Sequence, residues 1–255
     1  MEIMDFFSFG RGKKTFVILP GLAIHSVMAL QNAVESSYKD FAEEYTVYLF
    51  ERPRVLREGC TVRDLARDTA QAMRELHIEN ADIFGVSQGG MMAQWIAIDA
   101  PELVHSLMLG ATLAEPNETF LRVLDTWLHL AEAKDEDALL ASFVDNVYSE
   151  NTLKAYRETM ITLGRGITDE EYRRFHILAE SCRSMNTVPY LSSIRCPALV
   201  LGSEGDRVVT ADGTRSLAEK LGCELYMYGA EYGHGVYDEA PDFRTRCMEF
   251  LKTLG

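Results

Sequence analysis

Three residues far apart in the chain carry side chains that could act together in nucleophilic chemistry: Ser87, Asp206 and His234. A serine hydroxyl is a poor nucleophile until a base removes its proton, and histidine titrates in the range that suits this task. The imidazole in turn needs an acid that fixes its tautomer and stabilises its charge. One residue of each kind, correctly placed, could attack a carbonyl carbon.

Ser87 lies in the segment Gly85-Val86-Ser87-Gln88-Gly89, between a short apolar strand and an apolar helix. By chance alone, a Gly-x-Ser-x-Gly pattern is expected in roughly one of ten chains of this length. Its position is more informative, because a serine on an abrupt strand-to-helix turn is strained and exposed, and the flanking glycines leave room for the turn. The amino end of the following helix would favour negative charge beside the hydroxyl.

The other two candidates follow later apolar runs, at the carboxyl ends of predicted strands. Asp206 follows one such run and His234 follows the next. Both are expected in loops, as Ser87 is, and the carboxyl ends of parallel strands share one edge of a sheet. Glu204 and Asp212 are neighbouring acids that could be mistaken for the orienting acid.

The elements that must position these residues are short β-rich runs that alternate with stretches of helical period. The clearest helices are Thr61 to Leu76, with a capping-box-like start, and Gln88 to Ala100, which ends before Pro101. The alternation predicts an α/β fold with a mostly parallel twisted sheet and helices on both faces. The predicted strands are Thr15 to Leu19, Thr46 to Phe50, Ala81 to Phe84, Ser106 to Leu109, Ala198 to Leu201 and Leu225 to Tyr228.

The alternation lapses between about residues 113 and 188, where the sequence becomes helical and acidic. We interpret 113–188 as an inserted helical cap on a core formed by residues 1–112 and 189–255. Its predicted helices are Glu118 to Ala133, Glu136 to Tyr148, Thr152 to Leu163 and Asp169 to Cys182. Seven large side chains could close an apolar pocket over Ser87, although ordinary helix packing is favoured at each single position: Phe120, Trp127, Phe143, Tyr156, Met160, Phe175 and Met185.

Three motifs in the order Ser, Asp, His, each after a strand, resemble the α/β-hydrolase fold over nearly the whole chain. The resemblance implies a nucleophile elbow at Ser87, an acid loop at Asp206 and a histidine loop at His234. We expect no cofactor and no metal to take part. No Gly-rich phosphate loop or metal-binding motif is present in the sequence.

The resemblance further implies an oxyanion hole made of two backbone N–H groups. One is that of Gln88, which follows the nucleophile, and the other comes from the loop after an early strand. We expect Leu22 to supply the second donor, with Ala23 as the alternative. The family often has His-Gly where this chain has Pro20-Gly21, a mild departure because the donors are backbone groups.

A larger departure follows Phe50. Many relatives carry a Gly-rich Asp-x-x-Gly-x-Gly loop there, whereas this chain has a segment, 51–57, with Arg52, Arg54 and Arg57. The arginines could meet an anionic substrate, but we favour a solvated basic loop that balances acidic neighbours. His25, just beyond the segment Leu19 to Ala23 that is expected to supply the second donor, could line the pocket or lie at the surface.

Composition excludes several other classes of protein. With 39 acidic and 25 basic residues, the net charge is −14, which disfavours nucleic-acid and membrane-surface partners. The amino terminus lacks the basic region of a secretory signal, and the five cysteines are odd in number and widely spread. These features predict a cytoplasmic protein with reduced thiols and a small-molecule substrate, and they leave the oligomeric state open.

The favoured function is hydrolysis of a small carboxylic ester through an acyl-enzyme intermediate. An acyltransferase, a lactonase or a carbon–carbon bond hydrolase could use the same three side chains. A non-catalytic ligand receptor with this fold is the alternative from another class. The sequence does not specify acyl length or leaving group.

Overall fold

A seven-stranded sheet forms the centre of the computed structural model, which describes residues 4–255. The strand order is β1-β3-β2-β4-β5-β6-β7; β1 is antiparallel to β3, and every other neighbouring pair is parallel. The six predicted strands are present, and β1 is an additional edge strand. The strands are β1 Met4–Phe9, β2 Lys14–Leu19, β3 Tyr45–Pro53, β4 Ala81–Val86, β5 Val104–Gly110, β6 Ala198–Ser203 and β7 Glu224–Tyr228.

Helices cover both faces of this sheet. The two faces are visible within β2, where Val17 and Leu19 belong to one buried cluster and Phe16 and Ile18 to the other. Side chains alternate between the faces of a strand, so two separate cores require cover on both sides. The helices are α1 Gln31–Ser37, α2 Val62–Glu75, α3 Gln88–Asp99, α4 Glu118–Glu132, α5 Glu136–Val147, α6 Glu150–Leu163, α7 Asp169–Ser181, α8 Ala211–Leu221, α9 Val236–Glu239 and α10 Phe243–Thr253.

The predicted helix boundaries have local causes in the structure. Thr61 and Asp64 form a reciprocal capping box at the start of α2, which satisfies two N–H groups that would otherwise lack a partner. Helix α3 ends at Asp99, two residues before Pro101, as proline requires. These signals set where α2 begins and where α3 ends.

Four helices, α4 to α7, follow β5 and precede β6 along the chain, at the predicted positions. Trp127 and Phe175 of these helices are buried in the same cluster as Leu19 of the sheet. Tyr156 differs from the expectation, because its side chain is in solvent at 59% exposure. Tyr156 therefore belongs to neither the core nor an apolar pocket; Ile161 is the one buried residue of α6. The division into core and cap stays a prediction.

Within residues 4–255, the helices fall short of the length and apolar composition that crossing a membrane would require.

Candidate active site

Ser87 lies on the abrupt turn between β4 and α3, as the sequence predicts. Its backbone has φ 52° and ψ −120°, a conformation that costs a non-glycine residue about 1–3 kcal/mol. The turn is tightly packed: a Cβ on Gly89 would lie 1.9 Å from the carbonyl oxygen of Leu19, and a Cβ on Gly85 would lie 2.5 Å from that of Gly89. The surrounding backbone therefore holds the Ser87 hydroxyl at the carboxyl edge of the sheet.

A chain of hydrogen bonds joins the three predicted site residues. His234 Nε2 lies 3.0 Å from Ser87 Oγ, and His234 Nδ1 lies 2.8 Å from Asp206 Oδ2. The other oxygen of Asp206 accepts the N–H groups of Val208 and Val209, at 2.8 and 2.9 Å. With both oxygens occupied, the carboxylate cannot turn away from the imidazole.

The acid and histidine loops are also tied to each other. Ser203, at the end of β6, donates its hydroxyl to the carbonyl oxygen of Gly233 at 2.7 Å. The side chains of His234 and Asp206 are only 6% and 0% exposed, whereas Ser87 is half-buried. Water is thus kept from the histidine–acid pair, whereas Ser87 retains partial exposure.

The electrostatic environment keeps Asp206 ionised. Burial alone would raise its pKa, but the charge and hydrogen bond of His234, with the two backbone N–H donors, outweigh burial and lower the pKa below its ordinary value. An ionised carboxylate is the state that can hold an imidazole by its Nδ1–H and stabilise its positive charge.

The neighbouring acids do not join this arrangement. Glu204 pairs with Arg215 near the surface, and the side chain of Asp212 is fully exposed. Of the three acids considered from the sequence, the structure brings only Asp206 to His234.

Among residues 4–255, the backbone N–H groups expected to bind an oxyanion have no hydrogen-bond acceptor. Gln88 is the first residue of α3, so its N–H has no acceptor within the helix. The N–H groups of Leu22 and Ala23 likewise have no partner among residues 4–255, so the choice between them stays a prediction. The loop passes close to Ser87, because a Cβ on Gly21 would lie 3.3 Å from the Cβ of Ser87.

The prediction of a solvated basic loop after Phe50 is wrong for Arg52. Strand β3 continues to Pro53, and Arg52 is 2% exposed. Its Nη2 donates to the carbonyl oxygens of Pro20, at 2.5 Å, and Gly21, at 3.0 Å, and Nε and Nη2 donate to Gln88 Oε1 at 3.1 and 2.9 Å. Burial is tolerated because these oxygens replace water as acceptors.

The other two arginines of the segment fit the prediction better. Arg54 is half-exposed and pairs with Asp5, and Arg57 is exposed. Glu51 has a more specific role, because one of its carboxylate oxygens accepts the Ser26 hydroxyl at 2.9 Å and the Val27 N–H at 2.8 Å. The end of β3 therefore holds the loop of residues 20–27, which we call the oxyanion loop.

Sequence reasoning assigned only the backbone of Gln88 and missed its side chain. The amide Nε2 donates to the carbonyl oxygen of Leu178, on α7, at 2.7 Å. The sequence did contain a signal for this role, because Gln88 is a polar residue at the start of the apolar helix α3. In the structure Gln88 is buried. Through this amide, the residue after Ser87 contacts the helices that lie between β5 and β6 in the chain.

His25 forms a second link between the oxyanion loop and those helices. Its Nδ1 lies 2.7 Å from Glu171 Oε1, and its Nε2 lies 2.7 Å from the carbonyl oxygen of Gly164. Burial would lower its pKa, but these two bonds prevail and raise it. His25 also lines a cavity of about 150 Å³, together with Gly21, Ala23, Arg52, Arg174 and Leu178.

Metal-binding clusters are not evident in the part of the chain that the structure describes: no three or more His, Cys, Asp and Glu side chains converge there to hold an ion. The five cysteines are all free thiols.

Comparison with known proteins identifies the fold family. A family model for the α/β-hydrolase fold matches residues 14–241. The chain is 27% identical over 206 residues to "Putative non-heme bromoperoxidase BpoC" of Mycobacterium tuberculosis, covering 77% of this chain and 78% of that protein. It is 26% identical over 209 residues to "Putative carbamate hydrolase RutD" of Caulobacter sp. strain K31, covering 78% and 75%.

Solved structures agree with the sequence comparison. The crystal structure of MGS-M2, an α/β-hydrolase enzyme from a deep-sea metagenome library, superposes with a TM-score of 0.86 at 19% identity, over 99% of this chain and 96% of that one. At that identity the likeness establishes the fold alone. The family match over most of the chain leads to one conclusion: this protein belongs to the α/β-hydrolase fold family.

Proposed function

We propose that the protein is a serine hydrolase that cleaves a small carboxylic ester, or a related acyl substrate, through an acyl-enzyme intermediate. Ser87 is the nucleophile, His234 the general base and Asp206 the orienting acid. The observation that carries the proposal is the hydrogen-bond chain from Ser87 Oγ through both nitrogens of His234 to a buried carboxylate. This is the connectivity that serine acyl transfer needs.

Acylation follows from that connectivity. Neutral His234, with its proton on Nδ1 donated to Asp206, accepts the Ser87 proton at Nε2 as Oγ attacks the carbonyl carbon. The N–H groups of Leu22 and Gln88 bind the oxygen that becomes negative, and each such donor is worth about 3–4 kcal/mol of barrier lowering. The intermediate collapses when the imidazolium returns the proton to the leaving alcohol.

Deacylation repeats the cycle with water. His234 removes a proton from the water, the resulting nucleophile attacks the acyl carbon, and Ser87 leaves with its proton restored. The products are a carboxylic acid and free enzyme. In this scheme, the helices of residues 113–188 form a cap over the site, and the partner is a small acyl compound.

Two further features support the proposal without deciding the substrate. A carbamate, the substrate class in the name of one relative, is attacked at its carbonyl by the same steps as an ester or a lactone. Five free thiols fit a reducing compartment, and we infer a cytoplasmic protein.

The test is labelling by an active-site fluorophosphonate, beside hydrolysis of nitrophenyl esters from acetyl to octanoyl. We expect wild type to be labelled once per chain and to prefer short acyl groups. Ser87→Ala should lose labelling and about 10⁵-fold or more in kcat. Ser8→Ala, at an exposed serine on β1, is the matched control and should behave as wild type.

The proposal fails if wild type resists the probe as completely as Ser87→Ala and hydrolyses none of the esters; a ligand receptor with this fold would then be the better account. Added alcohol and thiol acceptors separate hydrolysis from acyl transfer. An enzyme that yields only the free acid at high acceptor concentration is a hydrolase.

A further inference from the structure

We propose that Arg52 is a positioning residue that holds both walls of the oxyanion hole and directs the Leu22 N–H toward the substrate. This inference rests on the proposed function, since it assigns how that site is held ready. It concerns a residue in the segment where the chain departs most from the pattern of its family.

The first wall is the oxyanion loop. Arg52 donates hydrogen bonds to two backbone carbonyl oxygens of this loop. The Gly21 carbonyl and the Leu22 N–H belong to one peptide unit, and none of the described peptide bonds is cis. In a trans unit the C=O and N–H point in opposite directions. A guanidinium that fixes the Gly21 oxygen on one side therefore turns the Leu22 N–H to the other side.

The same argument applies one residue earlier. Arg52 also donates to the carbonyl oxygen of Pro20, which fixes the adjoining peptide plane, and Gly21 lies against Ser87. Two successive planes are thus anchored by one Nη2 atom. Glu51 holds the far end of the loop through Ser26 and Val27, so adjacent strand residues restrain the loop at both ends.

The second wall begins at Gln88, whose N–H is the other oxyanion donor. Arg52 donates to the Gln88 side-chain oxygen, and the Gln88 amide nitrogen donates to Leu178 on α7. The side chain is held at both polar atoms, so the residue that begins α3 has a fixed position relative to the loop opposite. Arg52 therefore contacts both the peptide unit that carries the Leu22 N–H and the side chain of Gln88, the residue that carries the other N–H.

The charge of Arg52 contributes beyond geometry. Among residues 4–255 no carboxylate lies within 4.0 Å of its guanidinium, so its polar contacts are with neutral oxygens. A charged donor on a carbonyl polarises the peptide, which makes the N–H of that unit a stronger donor. Lysine carries the charge but lacks the planar fork that reaches three oxygens.

The test compares Arg52→Met and Arg52→Lys with Arg57→Met, the same substitution at an exposed arginine of the same segment. Sites are counted by fluorophosphonate titration, and kcat and KM are measured with a nitrophenyl ester. Affinity for a boronic acid is measured in parallel, because its serine adduct is a negatively charged tetrahedron that uses the oxyanion hole.

For Arg52→Met we expect kcat per titrated site to fall about tenfold to a hundredfold, with KM within about threefold of wild type. Boronate affinity should fall by a similar factor. Arg52→Lys should lose at least about threefold in both quantities, and Arg57→Met should match wild type. A purely structural role would lower the thermal midpoint and the number of sites but leave kcat per site unchanged.

Folded Arg52→Met with wild-type kcat per site and boronate affinity would overturn the inference. If Arg52→Met does not fold, Arg52→Lys carries the test, and wild-type values in that variant would overturn it. A wild type that neither labels nor turns over would instead refute the proposed function, and this role with it.

Discussion

Two histidine–carboxylate pairs, His234 with Asp206 and His25 with Glu171, differ in the partner of the histidine Nε2 atom. In each pair a carboxylate oxygen lies 2.7–2.8 Å from the histidine Nδ1, from Asp206 in one case and from Glu171 in the other. At Nε2, His234 meets the hydroxyl of Ser87 at 3.0 Å, whereas His25 meets the carbonyl oxygen of Gly164 at 2.7 Å.

That difference decides what each imidazole can do. A carbonyl oxygen only accepts, so His25 satisfies both neighbours when both of its nitrogens carry protons, and its pKa is raised. A hydroxyl also donates, so neutral His234 can receive a proton from Ser87. The pair at His234 suits proton transfer, and the pair at His25 is a fixed ionic link between the loop and α7.

The largest expected difference between the two pairs is in the effect on kcat of removing each imidazole. His234→Ala should lower kcat by about 10⁴-fold or more, because the base and its charge are both lost. His25→Ala removes an ionic contact worth about 1 kcal/mol, so kcat should change by about fivefold at most. Steady-state ester hydrolysis measures both.

His105→Ala is the matched control for these variants. His105 also contacts a carboxylate, that of Asp82 at 2.7 Å, but near the amino ends of β4 and β5, the opposite edge of the sheet. It should retain wild-type kcat. Equal losses in the His25 and His234 variants would show that the two pairs do not have the distinct roles assigned to them.

Neutralising each carboxylate gives a smaller contrast. Asp206→Asn should lower kcat by about 10⁴-fold, because an amide at Nδ1 favours the wrong imidazole tautomer. Glu171→Gln should leave kcat within about threefold of wild type, since a lost exposed ion pair is worth about 0.2–1 kcal/mol. Rates measured with active-site titration test this pair. An Asp206→Asn enzyme as active as Glu171→Gln would refute the orienting role.

The smallest effect is on stability against pH. The folded-state pKa of His25 is raised, so its contribution is complete below the unfolded value of about 6.5 and is lost as pH rises through the folded value. Glu171, with a lowered pKa, stays ionised across that interval. The His25 and Glu171 side chains are 36% and 26% exposed, so solvent screening reduces the effect.

Thermal unfolding of wild type and His25→Asn at pH 5.5 and pH 8.5 measures that contribution. The difference in midpoint between the two proteins should be about 1–3 °C larger at pH 5.5. A difference that does not change with pH would mean that His25 is bound as a neutral ring.

Much of the fold could be predicted because its signals are local. The buried parallel strands are continuous apolar runs, and α2 and α7 begin with capping boxes that are visible in the sequence. Strand β1 could not be found in this way. A register shift between Met4 and Phe6 breaks its alternation, so Met4 and Phe7, three residues apart, are its buried side chains.

In the candidate site too, the features with local sequence signals were predictable and those that depend on distant contacts were not. Chain order and strand ends were sufficient to predict that Ser87, Asp206 and His234 would lie at one edge. Burial of Arg52 was unpredictable, because the oxygens that compensate it belong to residues 31 to 36 positions away, at Pro20, Gly21 and Gln88. Charged residues are ordinarily exposed, and only tertiary contacts reverse that preference.

The crowding around Gly85 and Gly89 has a consequence for how descendants of this chain would be interpreted. Gly89 is required where the first turn of α3 passes the Leu19 carbonyl of β2, and Gly85 is required where the end of β4 lies against that same turn, whatever residue stands at position 87. A lineage that abandoned turnover and replaced Ser87 would still be selected to keep both. In such a lineage Gly85 and Gly89 would persist for packing reasons alone. The residue at position 87 would show whether the chemistry had been retained.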